Sequence, residues 1–147
     1  MTKLLSRKSP TTQTDNSKAA MMTPDAALTP RGTQFDDELY MRIVQSVAEG
    51  DELRTLGYGR PNKIVSIDRA GIRVATLQSE GRGAPPELVP AWMIIRAWAH
   101  LTSNGVLTQE GLKHQLDVYR SAFVCALLAT FADVAVESKR PAKLRLK

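Results

Sequence analysis

Read for the recurrence of apolar positions, the chain acquires a period only after about residue 34. Within Phe35 to Glu49, the residues Leu39, Ile43 and Val47 stand four apart, with Tyr40 and Val44 beside them and Gly50 at the end. That spacing lays one apolar stripe along an amphipathic helix. Asp36, Asp37 and Glu38 stand at its start, where negative charge favours a helix N-terminus. The period then shortens. Ile64, Val65 and Ile67, then Ile72, Val74, Ala75 and Leu77, flank Asp68-Arg69-Ala70-Gly71. Two β-branched runs around a short turn ending in Gly predict a β-hairpin. Leu56 to Asn62 is a turn-rich loop. Its Gly57/Gly59 pair lacks the third glycine and the Lys-Ser/Thr of phosphate-binding loops, so it reads as a plain turn. Gly81, Gly83, Pro85 and Pro86 mark 79–88 as a linker.

From Pro90 the chain is strongly apolar. Ile94, Ala97, Trp98 and Leu101 share a helical stripe, Pro90 opens the helix, and Asn104-Gly105 closes it with a left-handed cap. Val106-Leu107 is a bridge strand. Thr108 caps a second helix, Gln109 to Leu116. Asp117 is placed to cap a third, Val118 to Thr130, with Val124, Leu127, Leu128 and Phe131 facing the core. Val134 to Val136 and Lys143 to Leu146 bracket Glu137-Ser138-Lys139-Arg140-Pro141, which predicts a second hairpin.

Composition sets the limits. With 147 residues, 43% hydrophobic and 24% charged, the chain is of ordinary globular type and has no uncharged run long enough to span a bilayer. Residues 1–34 lack aromatics and are broken by Pro10, Pro24 and Pro30, so they read as a disordered arm. The arm carries Lys3, Arg7, Lys8, Lys18 and Arg31 against Asp15 and Asp25, +3 of the total +5. It reads as a solubilising leader or as an arm that tracks a phosphate backbone. The start has no apolar signal core and the single Cys125 has no disulfide partner, so a cytoplasmic protein with a buried, inert thiol is expected. The Ser, Thr and Lys content of the first residues also fits an organelle address, although no amphipathic helix accompanies it. His100 and His114 lack the further ligands of a metal site. No cofactor and no metal are expected.

The order helix, short strand, helix, helix, hairpin over residues 89–147 resembles a winged helix-turn-helix. The segments Gly59 to Val65, Val89 to Ile94 and Arg120 to Leu128 also look like small modules attached to bacterial restriction and defence proteins. The winged-helix resemblance implies double-stranded DNA as partner. The third helix enters the major groove by its N-terminal part, and the wing touches a neighbouring backbone or minor groove. On this chain it implies Tyr119, Arg120 and Ser121 at the outward start of the third helix. Lys113 and His114 lie on the second helix, and Lys139, Arg140, Lys143 and Arg145 on or after the wing. Residues 139–147 hold five cations and no acid.

Each of these residues also has a structural reading. Arg120 is spaced to pair with Asp117 across one turn. Lys113 and His114 suit a solvated face, Tyr119 an edge-packed ring, and the basic end a soluble terminus. Trp92 and Trp98 read as core and interdomain packing rather than as a stacking platform.

Nothing in the sequence sets up catalysis. Ser121 and Cys125 have no histidine at suggestive spacing, and Asp36, Asp37 and Glu38 fit a helix start better than a Mg²⁺ cluster. Glu137-Ser138-Lys139 has nuclease-like spacing without an upstream partner acid. The expectation is an α+β protein with a disordered basic arm (1–34), a helix and β-hairpin unit (35–78), a linker (79–88) and a winged helix (89–147). It is read as a non-enzymatic DNA-binding protein, a transcriptional regulator or DNA-recognition accessory, in a phage or bacterial defence setting. A homodimer or protein partner is allowed, and no membrane. The alternative is a protein–protein interaction module that docks through the Trp92–Trp98 helix.

Overall fold

The computed structural model describes residues 33–147, so the expected arm lies, but for its last two residues, outside them. The fold is α+β, with helices interleaved with two antiparallel sheets. Helix α1 spans Asp37–Ser46. The Asp36 side chain accepts from the Leu39 N–H at 2.8 Å and caps it. Leu39 and Ile43 face inward, and the chain leaves the helix at Val47, itself buried.

The first sheet has the order β1 (Glu52–Arg54), β2 (Pro61–Asp68), β3 (Gly71–Thr76) and β4 (Glu87–Pro90). The expected hairpin is β2–β3, with Asp68 opposite Gly71 and only Arg69-Ala70 between. Gly71 is required here. It has φ +150°, and a Cβ would fall 2.3 Å from the Val89 carbonyl oxygen.

The stretch read as a linker, 79–88, carries regular structure at both ends. A single helical turn, α2 (Leu77–Gly81), leads into β4, which pairs with β3 from Gly71–Pro90 to Val74–Glu87. Four residues show too little alternation to be read as a strand, and Pro90 is tolerated because β4 is the sheet edge.

Helix α3, Ala91–Asn104, buries Trp92, Met93, Ile94, Ala97 and Leu101 and ends on Gly105 at φ +80°. Strand β5 (Val106–Thr108) follows, then α4 (Gln109–His114), capped by the Thr108 hydroxyl accepting from Gly111 N–H at 2.9 Å.

The third helix of this half differs from expectation. Asp117 does not cap it but takes the left-handed conformation, φ +60°, which Asp tolerates better than most residues. Val118 turns inward, its N–H bonded to the Leu112 carbonyl at 2.9 Å, and α5 runs only from Ser121 to Leu128. Seven of its eight residues are buried. At about 1.5–3 kcal/mol for each fully buried large apolar side chain, burial of Phe123, Leu127 and Leu128 favours a central helix that leaves only Ala122 partly exposed.

Strands β6 (Val134–Lys139) and β7 (Ala142–Leu146) form the second hairpin. They extend further into the 137–141 segment than expected, leaving Arg140-Pro141 as the turn. The second sheet has the order β5-β7-β6.

One cluster of buried side chains runs through both halves, from Phe35, Ile43 and Ile72 to Trp92, Phe123 and Leu144. The Arg42 guanidinium pins α1 to the α5–β6 turn. It donates to both Asp133 carboxylate oxygens at 2.8 and 2.9 Å and lies 4.7 Å over the Trp98 ring. Among the described residues, no helix is long and apolar enough to cross a membrane.

Candidate functional site

Where the first sheet meets α4, α5 and the β6–β7 turn, the surface folds into a groove made of two joined cavities of about 610 and 390 Å³. They share Thr55, Gln109, Lys113 and Ala122 as common wall. Their positions follow from the topology. The loop after β1 carries Thr55, Tyr58 and Arg60; the turn before β4 brings Arg82; α4 contributes Lys113; and the end of β6 with the turn after it supplies Lys139 and Arg140.

Six cations line this groove: Arg60, Arg82, Lys113, Arg120, Lys139 and Arg140. The acids are Glu87 and Glu110. Arg120 is the one cation of this set in an ion pair among the described residues. Its guanidinium donates to Glu87 Oε1 at 2.7 Å and to Asn62 Oδ1 at 3.4 Å. The expected partner Asp117 is not used, because its left-handed turn precedes a helix that begins only at Ser121. Arg120 is thus a half-buried strut between α5 and the first sheet, its side chain 19% exposed.

Arg140 is also engaged. It donates to the Gly57 carbonyl from Nε at 3.2 Å and from Nη2 at 2.8 Å, and stacks 4.3 Å over the Tyr58 ring. These bonds hold the hairpin tip against the β1–β2 loop while leaving the guanidinium charge without a carboxylate partner among the described residues. Tyr58 is 70% exposed and Tyr119 62%.

The groove collects seven of the nine residues singled out from sequence: Lys113, His114, Tyr119, Arg120, Ser121, Lys139 and Arg140. Ser121 is 4% exposed, at the groove floor, because its helix is covered. Lys143 and Arg145 lie elsewhere. They alternate with buried Ala142 and Leu144, and clasp Glu137 across the hairpin at 3.2 and 3.6 Å. Sequence reasoning omitted Tyr58, Arg60 and Arg82. Their signal is a cation or aromatic beside a loop glycine, a pattern that shows its meaning only once the loops are brought to α4.

Trp92 is buried at 3%, and Trp98 is half-buried between Arg42 and Phe131, whose ring meets it edge-on at 5.3 Å. Of the face read as a docking surface, Trp92 is covered, while Trp98 with Ile95, Ala99 and Thr102 lines a cavity of about 490 Å³ beside the start of α1. Cys125 lies in the core, and burial pushes its thiol up to about 12 from the ordinary 9.0. Such a thiol stays protonated and unreactive.

Compared with protein-family models, curated proteins and solved structures, the chain matches none.

Proposed function

We propose that this chain is a non-enzymatic DNA-binding protein that holds the phosphate backbone in its cationic groove, serving as a regulator or DNA-recognition accessory. Residues 89–147 are read as a winged helix. The element order α3-β5-α4-α5-β6-β7 and the sheet order β5-β7-β6 support that reading. The observation that carries the function is the convergence of Arg60, Arg82, Lys113, Lys139 and Arg140, drawn from four separate segments, with no ion-pair partner for any of them among the described residues.

Concentrated like charge costs folding energy unless a counter-charge arrives, and a polyanion supplies it while releasing its own counterions. In this reading the DNA does not receive the third helix. With α5 covered, the groove rim meets phosphates and the chain gains affinity more than base readout.

A gel-shift salt series on the full chain tests the proposal. Binding weakens steeply between low and moderate salt, and Lys113→Glu with Arg82→Glu abolishes it while the thermal melt is kept. Binding that persists unchanged in the double variant contradicts the proposal.

A further inference from the structure

From the shape of the groove and its exposed rings, and resting on the DNA-binding reading above, we infer that the groove takes an unpaired strand in preference to a duplex. Three observations converge.

First, duplex readers insert a helix or two-stranded ribbon into a major groove about 12 Å wide. This chain presents its cations in a concavity instead. The helix in the reader's position has seven of eight residues buried. The hairpin tip, the other projecting element, is fastened by two Arg140 hydrogen bonds to Gly57.

Second, the groove carries one largely exposed tyrosine on each cavity, Tyr58 on the smaller and Tyr119 on the larger. Tyr119 has no ring or cation stacked on it among the described residues. Tyr58 has the Arg140 guanidinium 4.3 Å over its ring and that of Arg60 at 5.8 Å, so the face left to water is that of Tyr119 above all. An aromatic face left to water is a favourable platform for a base, and it is sequence-tolerant because every base has a π-face. In a duplex those faces are already stacked on their neighbours, so the tyrosines add nothing.

Third, the cations line the same two cavities as the rings. Lys113 belongs to both cavities, Arg60 and Arg82 to the Tyr119 side, and Lys139 and Arg140 to the Tyr58 side. A strand laid along the groove sets its phosphates on these cations and turns bases onto the exposed tyrosines. Backbone-tracking charge combined with stacking rings is the arrangement that single strands use and duplexes do not.

The test is fluorescence anisotropy of the full chain with a labelled single-stranded oligonucleotide and with its duplex of equal length, at one salt concentration. The expected result is at least a tenfold tighter complex with the single strand. Tyr58→Ala and Tyr119→Ala each cut the ratio of single-strand to duplex affinity by about fivefold or more, and Tyr119→Phe retains it. Duplex binding as tight as single-strand binding, or a ratio that the tyrosine variants leave within twofold, overturns the inference while leaving the DNA-binding reading in place. Failure of both oligonucleotides to bind overturns both.

Discussion

Arg120 and Glu87 meet at 2.7 Å across the junction between the start of α5 and the edge strand β4, joining the two halves of the molecule at the floor of the cationic groove. The same guanidinium reaches Asn62, which is 5% exposed. The pair therefore has two roles: it fixes the angle between the first sheet and the third helix, and it withholds one positive charge from the groove.

Removing the carboxylate separates these roles. Glu87→Gln keeps the shape of the side chain and frees the Arg120 charge. Because Glu87 is half exposed, the stability cost is about 1 kcal/mol or less. DNA affinity rises, by roughly threefold to tenfold at low salt, and the gain disappears at high salt. Parallel chemical denaturation and anisotropy measurements check both statements. Arg120→Ala goes the other way, costing about 1–3 kcal/mol because it leaves the buried Asn62 oxygen without its donor.

Gly71 is the turn residue least open to change. Gly71→Ala sets a Cβ against the Val89 carbonyl oxygen at a φ that L residues rarely adopt, so it lowers stability by more than about 2 kcal/mol. Gly81→Ala has nothing within 4 Å of the new Cβ and serves as the control. Its melting temperature stays close to that of the unaltered chain, whereas Gly71→Ala falls by several degrees.

The pH dependence contributed by Cys125 has a definite sign. Its thiol titrates near 9.0 when unfolded and near 12 when folded, so above pH 9 the unfolded chain sheds a proton that the folded one keeps. Its contribution is fully present below pH 9 and is lost as pH rises towards 12, by up to about 1.4 kcal/mol per pH unit. Cys125→Ala flattens the stability profile in that window. The native thiol also resists alkylation at neutral pH and reacts once the chain is unfolded.

Glu137 is held by Lys143 and Arg145, with its carboxylate on the outer face of the second hairpin. Incubated with Mg²⁺ or Mn²⁺, the protein leaves DNA intact. Metal-dependent cleavage that Glu137→Ala abolishes is the contrary result.

What the sequence makes legible follows from how local the chemistry is. The caps at Asp36, Thr108 and Gly105 depend on neighbours within four residues, and the β2–β3 turn on a pattern of period two, so each can be read from the chain. Strand β4 gains its identity from pairing with β3, which four residues cannot announce. The third helix misleads for a similar reason. Its apolar content reads as one face of a longer helix, but seven of the eight residues are covered once the first sheet packs against it. The partner of Arg120 lies 33 residues away in a stretch without period, whereas Asp117 is three residues away and unused. Seven groove residues are recognisable by type and by position in the second half. Tyr58, Arg60 and Arg82 join them only through the tertiary fold.

The central claim is that particular groove cations meet phosphates, and the salt dependence of binding counts those contacts. For the full chain and for Lys113→Gln with Arg82→Gln, the slope of log affinity against log salt is to be measured on one labelled oligonucleotide. Each lost phosphate contact reduces the slope by about 0.7 on a single strand or 0.9 on a duplex, so the account predicts a reduction of about 1.4–1.8. Identical slopes for the two proteins would contradict it.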